Sequence, residues 1–258
     1  MDDSNLRFGG IERLYSSRGL ERLRRARVCV LGIGGVGSWA AESLARSGVG
    51  AISLVDMDDV CVSNVNRQLH ALDGVIGRPK AVVMAERLRA INPACQATPI
   101  PEFFTAESAE RILAGGFDYV IDAIDNVANK CLLIARCRER NIPIVASGGA
   151  GGRRNPTVVR IADLAQTTHD ALLVQVRKTL RDEHGFPRDA KKSFGVPCVF
   201  SPEPAARPFV KGDACEPDPA AGLRLDCESG YGTASFVTGT FGLAAAAHVV
   251  NALADIGP

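Results

Sequence analysis

The stretch from Arg27 to Arg67, RVCVLGIGGVGSWAAESLARSGVGAISLVDMDDVCVSNVNR, constrains the fold more than any other part of the chain. It opens on a short apolar run, Val28 to Leu31, with the length and β-branched content of a buried strand. Gly32, Gly34, Gly35 and Gly37 follow, and a helical pattern then runs through Trp39, Leu44 and Ala45. A second strand, Ala51 to Val55, ends on Asp56. Strand, glycine turn, helix, strand and acid in this order are the layout of a nucleotide-binding crossover. The glycines let backbone approach a phosphate, and the helix start behind them offers free N–H groups and a positive dipole end. Asp56 stands where a ribose donates hydroxyl hydrogen bonds. A nucleotide is thereby indicated, though NAD, FAD and ATP proteins share this fingerprint.

With 258 residues, 46% hydrophobic and 23% charged, the chain is long enough for one large α/β domain with a buried core. The net charge of +1 points to no particular partner. No basic, short apolar leader opens the sequence, so a cytoplasmic location is expected. None of the eight cysteines forms a CxxC pair, which predicts reduced thiols, with Cys29 and Cys131 in core elements, and no zinc. Residues 234–254 carry no Lys, Arg, Asp or Glu and are long enough to span a bilayer. Ser235, Thr238, Thr240, His248 and Asn251 dilute the run, so a buried core or dimer-interface helix is expected, with membrane association disfavoured.

The expected architecture is a Rossmann-like, doubly wound, mostly parallel α/β sheet. A C-terminal region with a long crossover loop and a final apolar helix extends it. Residues 1–26 read as an N-terminal arm and short helix, 27–152 as the nucleotide-binding half, and 153–258 as the substrate and dimer half of one domain. After Asp56 come Asp58 and Asp59, then the polar loop Ser63 to Gln68. Lys80 starts an amphipathic helix that Asn92-Pro93 stops. A strand over 95–101, a helix from Thr105 to Leu113 with Thr105 as N-cap, and a buried strand from Tyr119 to Ile121 follow. A helix to Arg140 and a strand from Ile142 to Ala146 then lead into a glycine run at 148–152, giving four or five strands to this point. Thr157 to Ile161 reads as a further strand and Ala171 to His184 as a helix, while 185–230 reads as irregular crossover. Residues 136–192 hold 12 Lys/Arg against 6 Asp/Glu, a stretch that suits either a polyanion surface or a solvated helix face.

The discriminating residues are Asp56, Asn64, Arg67, Lys80 and Asp125, with Asp58, Gln68 and Asn126 beside them in sequence. Taken singly, Arg67 could be a surface ion pair, Lys80 a solvated helix start and Asp125 a cap. Together, two cations on separate loops exceed what a nicotinamide pyrophosphate needs. They suit a triphosphate attacked at its α-phosphorus, with Arg67 and Lys80 neutralising charge on the phosphates. Asp125 would hold Mg²⁺, which takes one or two carboxylates plus phosphate oxygens. The product would be an acyl adenylate, which disfavours an NAD oxidoreductase.

GIGGVG, LVDMDDVCVSNVNRQ, GRPKA, DAIDN and GGAGG resemble the ubiquitin-activating-like ThiF/MoeB/HesA adenylating family, and the similarity extends over nearly the whole chain. The resemblance implies that Asp56 binds ribose, that Asn64, Arg67 and Lys80 contact phosphates, and that Asp125 is the Mg²⁺ ligand. It implies a homodimer, with Arg13 (or, less favoured, Arg7) entering the neighbouring subunit's ATP site. The motifs RFGGIERLYS, CVFS at 198–201 and LDCESGYG at 225–232 are similar to a subgroup that acts on tRNA. Within that subgroup the implied reaction adenylates the threonyl carboxylate of a threonylcarbamoyl-modified tRNA adenosine, and the carbamoyl oxygen then closes a ring. The alternative is activation of a ubiquitin-like sulfur carrier, with a sulfur-transfer protein of the cysteine desulfurase type as partner. The missing CxxC pairs weaken that alternative. Cys227, flanked by Asp226 and Glu228, reads as a structural residue or part of a monovalent-cation (Na⁺ or K⁺) site rather than as a nucleophile.

Overall fold

The computed structural model describes residues 4–189, 191–206 and 231–254. Seven strands form one sheet: β1 (Arg27–Leu31), β2 (Ala51–Val55), β3 (Gln96–Ile100), β4 (Tyr119–Asp122), β5 (Ile144–Ser147), β6 (Arg160–Asp163) and β7 (Pro197–Phe200), in the order β3-β2-β1-β4-β5-β7-β6. All neighbours are parallel except β6, which runs antiparallel to β7 at the edge. In register, Val30 lies between Leu54 on β2 and Ile121 on β4. The winding direction reverses between β1 and β4, and ligands bind at the carboxyl ends of strands at such a switch.

Helices cover both faces, which is why the central strands are apolar along their length rather than alternating. On one face α1 (Ser4–Arg25), α2 (Gly37–Arg46), α3 (Lys80–Ile91) and α7 (Ser235–Ala254) pack on Val28, Val30, Ile52, Leu54 and Ile121. On the other, α4 (Ala106–Leu113), α5 (Val127–Glu139) and α6 (Ala171–Glu183) pack on Cys29, Leu31, Val120, Ala146 and Cys198. Cys29 and Cys131 are both in this second core, and burial raises their thiol pKa values, Cys131 to about 12.

Helix α7 is long and apolar enough to cross a membrane, yet half of its apolar window is buried inside the fold. Gly242 lets it press onto α2: a Cβ there would stand 2.4 Å from the Val36 carbonyl and 2.8 Å from Trp39 Cβ. The Tyr15 hydroxyl on α1 donates to Asn251 Oδ1 at 2.6 Å and fastens α1 to the same helix.

Three expectations are corrected. The N-terminal arm is helical from Ser4 on, broken at Ser16, whose φ of 66° interrupts the helix. The strand expected at 157–161 begins at Arg160, because Asn155 caps a 3₁₀ turn over Pro156–Val158 through its side chain, which accepts from the Thr157 N–H at 2.9 Å. Five strands precede the glycine run, as expected, and one follows it, but the expected irregular crossover also contains β7, which brings the sheet to seven. This strand is opened by a half-buried proline at the first strand position, and its other three residues are buried between β5 and β6.

Candidate active site

At the carboxyl ends of the strands lies a cavity of about 550 Å³, within the range of small-molecule sites. Its wall follows the sheet in strand order: Phe103 after β3, Asp56 after β2, Gly34 after β1, Asp125 after β4, Gly148 after β5, and Tyr231 beyond.

The glycine loop works through two close approaches. Gly32 has φ +85°, and a Cβ there would lie 2.7 Å from the Ala123 carbonyl; at Gly37 it would lie 1.8 Å from the Gly32 carbonyl. Gly32, Gly34 and Gly35 line the cavity, while Gly37 stands behind them and makes the turn possible. Asp56 is fixed by the loop it faces: its Oδ2 accepts from the Ile33 N–H at 2.6 Å and its Oδ1 from the Asp58 N–H at 2.9 Å. Burial raises its pKa, and Lys80 together with these two amides opposes the rise. A half-buried, oriented carboxylate at this point can accept hydrogen bonds from a sugar diol.

The polar loop after β2 folds back over the glycines. Asn64 is buried, its Oδ1 accepting from the Cys61 N–H at 3.0 Å, which closes the turn that carries Arg67. The Arg67 guanidinium donates to the Ser63 carbonyl at 2.7 Å and to Asn66 Oδ1 at 3.1 Å. The Arg67 carbonyl accepts from Trp39 Nε1 at 3.1 Å on α2 and from Thr238 Oγ1 at 3.4 Å on α7. Gln68 is buried at the wall with no partner for its Oε1 among the described residues. Lys80, the first residue of α3, is 7% exposed and holds Asp58 Oδ2 at 2.8 Å. A buried ammonium whose partner is an exposed carboxylate is placed to exchange that partner for a phosphate.

Beyond the switch point, Asp122 ends β4 fully buried with Lys130, whose Nζ lies 2.9 Å from Asp122 Oδ2 and donates to the Ile124 carbonyl at 2.8 Å. Burial raises the Asp122 pKa and Lys130 opposes the rise. This pair supports the 123–126 loop, on which Asp125 is exposed and lines the cavity. Asn126 caps α5, its Oδ1 accepting from the Asn129 N–H at 3.1 Å. The helix starts of α2 and α5 therefore flank one site. The glycine run after β5 rests on Asp170, which accepts from the Gly149 N–H at 2.9 Å while capping α6 at Leu173. Arg153, also buried, completes this support at 3.4 Å from Asp170 Oδ2.

The cavity thus gathers Gly32, Gly34, Gly35, Asp56, Asp58, Asn64, Arg67, Gln68, Lys80, Asp125 and Asn126 in its wall, whereas Gly37 supports it from behind. Arg13 is exposed on α1 and does not line it. Arg7 is tied to its own chain, donating to the Ile91 carbonyl at 3.4 Å. Cys227 lies outside the described residues. Sequence reasoning missed Phe103, Asn129 and Thr238, none of which belongs to a motif, and Tyr231, which lies in the LDCESGYG motif but was given no site role; it also missed Lys130, whose position one helical turn past DAIDN was the only available signal. No group of three or more metal-ligating side chains occurs among the described residues. Of the carboxylates that line the cavity, Asp56 is held by two backbone amides and Asp58 by Lys80, whereas Asp125 is exposed; a single such carboxylate fits Mg²⁺ coordinated mainly by substrate oxygens.

The model of the ThiF family matches residues 10–258. The tRNA threonylcarbamoyladenosine dehydratase of Escherichia coli K12 is 49% identical over 95% of this chain and 92% of its own length. The enzyme of the same name from Haemophilus influenzae is 46% identical over 98% of this chain and 95% of its own. The crystal structure of the E. coli dehydratase in complex with ATP superposes with a TM-score of 0.87 at 45% identity, covering 98% of this chain and 96% of that one.

Proposed function

The chain belongs to the ThiF family, and we propose that it is an ATP-dependent dehydratase that cyclises threonylcarbamoyladenosine in tRNA. The observation that carries the reading is the linear layout of the cavity. A carboxylate for ribose, a glycine turn and two helix starts for phosphates, two cations and a free acid succeed one another along the strand ends. This is an adenylation site, and its far end remains open to an acyl substrate.

In the first step the threonyl carboxylate attacks the α-phosphorus of ATP and pyrophosphate leaves. Asp56 holds the ribose, Asn64 and Gln68 shape the phosphate loop, and Arg67 and Lys80 balance the charge that builds on the departing phosphates. Lys80 releases Asp58 to do so. Asp125 would hold Mg²⁺, which when bound would supply charge neutralisation at the phosphate oxygens. In the second step the carbamoyl oxygen attacks the activated acyl carbon, the C–O bond to AMP breaks, and a proton is lost. The attacking oxygen is already tethered to the acyl group, so proximity supplies much of the acceleration and no protein nucleophile is required.

The chain acts as a homodimer. Leu6 and Leu14 on α1 and Phe236 and Leu243 on α7 are exposed apolar side chains on two helices packed together, a surface suited to a second copy. Arg13, on the same helix as Leu14 and free of the chain's own cavity, reaches the partner's ATP site. A monovalent cation near Cys227, or a relay to a sulfur-transfer protein, would involve residues outside those described; full activity of Cys227→Ala excludes a thiol relay. Substrates such as ATP and tRNA suit a cytoplasmic enzyme.

Incubation with ATP, Mg²⁺ and modified tRNA yields AMP, pyrophosphate and a nucleoside lighter by one water, as read by mass spectrometry. An unchanged nucleoside mass from protein that ATP protects in a thermal melt would refute the reading. Lys80→Ala and Asp125→Ala each lower AMP formation on the order of 100-fold without lowering the melting temperature. Retention of full activity by either variant removes the role given to that residue.

A further inference from the structure

We infer that Tyr231 is the stacking platform for the target base of the tRNA, an inference that rests on the dehydratase reading above. The reaction joins two nucleosides: the adenosine of ATP on one side of the reacting phosphorus and the modified adenosine, with its acyl group, on the other. The cavity has matching ends. Its charged middle runs from Asp56 to Asp125, and an aromatic side chain stands at each extremity, Phe103 at the β3 side and Tyr231 at the β5 side. With ribose at Asp56, the base of ATP falls on the Phe103 side, because β3 is the next strand outward. The acyl carbon then lies past Asp125, toward Gly148 and Gly149, and the base that carries it lies beyond, where Tyr231 closes the wall.

The chain builds a place for this ring. Gly151 and Gly152 make room for it: a Cβ on Gly151 would fall 2.9 Å from Tyr231 Cβ, and one on Gly152, at φ +73°, would fall 2.9 Å from Tyr231 Cδ1. The backbone beside it is clamped from both banks of the cavity. The Gly152 N–H donates to the Gly232 carbonyl at 2.8 Å, and Asn66 Nδ2 donates to the Thr233 carbonyl at 3.0 Å. Asn66 is the neighbour of Arg67, so the segment that carries Tyr231 is tied at one end to the acyl side and at the other to the phosphate loop. A half-exposed ring in the cavity wall, seated by the glycines that follow β5, suits an unstacked RNA base, which proteins hold by stacking on aromatic side chains.

The test compares Tyr231→Ala and Tyr231→Phe with the wild type, measuring the KM for modified tRNA and, separately, ATP affinity by thermal shift. Tyr231→Ala is expected to raise the KM for tRNA roughly tenfold, as loss of one base-stacking ring does. ATP affinity and melting temperature stay at wild-type values, and Tyr231→Phe keeps the wild-type KM. Three results overturn the inference while the wild type stays active: a Tyr231→Ala KM within twofold of wild type, a parallel loss of ATP affinity, or a Tyr231→Phe variant as impaired as Tyr231→Ala. A wild-type protein that binds ATP but leaves modified tRNA unchanged overturns the dehydratase reading itself.

Discussion

The two halves of the cavity are made in different ways. The nucleotide half comes almost entirely from one continuous segment, Gly32 to Gln68, joined by Lys80, and its parts hold one another: Asp56 accepts from Ile33, and Gly37 clears the Gly32 carbonyl. The acyl half is assembled from the ends of β4 and β5, the start of α6 and the stretch from Tyr231 to Thr233. It rests on buried ion pairs, Asp122 with Lys130 and Asp170 with Arg153. A half stabilised by local backbone geometry depends on its glycines. A half built from distant pieces depends on buried charge, which is costly unless every partner is present.

This contrast can be tested where its effects are largest. Lys130→Met leaves Asp122 buried without its cation and is expected to cost about 3–5 kcal/mol in urea unfolding at neutral pH. Asp122→Leu combined with Lys130→Met should recover most of that loss; an equally unstable double variant would show that packing, not charge, holds the loop. A smaller effect is expected at Gly148, where a Cβ would meet Asp170 Oδ2 at 2.4 Å and Leu173 Cδ1 at 2.9 Å. Gly148→Ala should destabilise by about 1–3 kcal/mol and lower turnover of modified tRNA with ATP affinity kept, since it disturbs only the acyl half. If ATP affinity falls in step, the two halves are not separable.

An effect of similar size, present only in acid, concerns a histidine. His70, beside the nucleotide half, is buried with neither ring nitrogen partnered among the described residues. Burial, then Lys80 and Arg87, lower its pKa from 6.5 to about 4. Between these values the unfolded chain binds the proton and the folded one does not, so stability rises with pH across that window and is lost as pH falls through it. At pH 5 this contribution is about 2 kcal/mol relative to pH 7. His70→Leu should flatten the difference in unfolding free energy between pH 5 and pH 7; an unchanged slope would assign the acid sensitivity to other groups.

The same contrast explains what could be read from the sequence. Asp56 and Asp125 were legible because they follow strands and Lys80 because it opens a helix, while Arg67 stood out only as a cation in the polar loop after β2; the structure brings all four to one wall. Tyr231 and Thr238 carried no such signal: they reach the cavity through tertiary contacts with residues 80 to 170 positions away. The strand at Pro197–Phe200 was hidden because a four-residue apolar run among prolines, glycines and charges has no periodicity to detect, and its pairing with β5 is settled only by the sheet. Gly37 was placed with the ligand-binding glycines because spacing reports that a glycine is needed, without telling close packing from close approach to a phosphate.

Trp39 has a spectroscopic consequence. It is the only tryptophan in the chain, and its indole N–H is bound to the carbonyl of Arg67. All tryptophan emission from the protein therefore originates one hydrogen bond from the arginine proposed to meet the triphosphate. The enzyme carries its own optical gauge of the phosphate loop: a nucleotide that pulls on Arg67 changes the colour or the brightness of that emission, with no label attached.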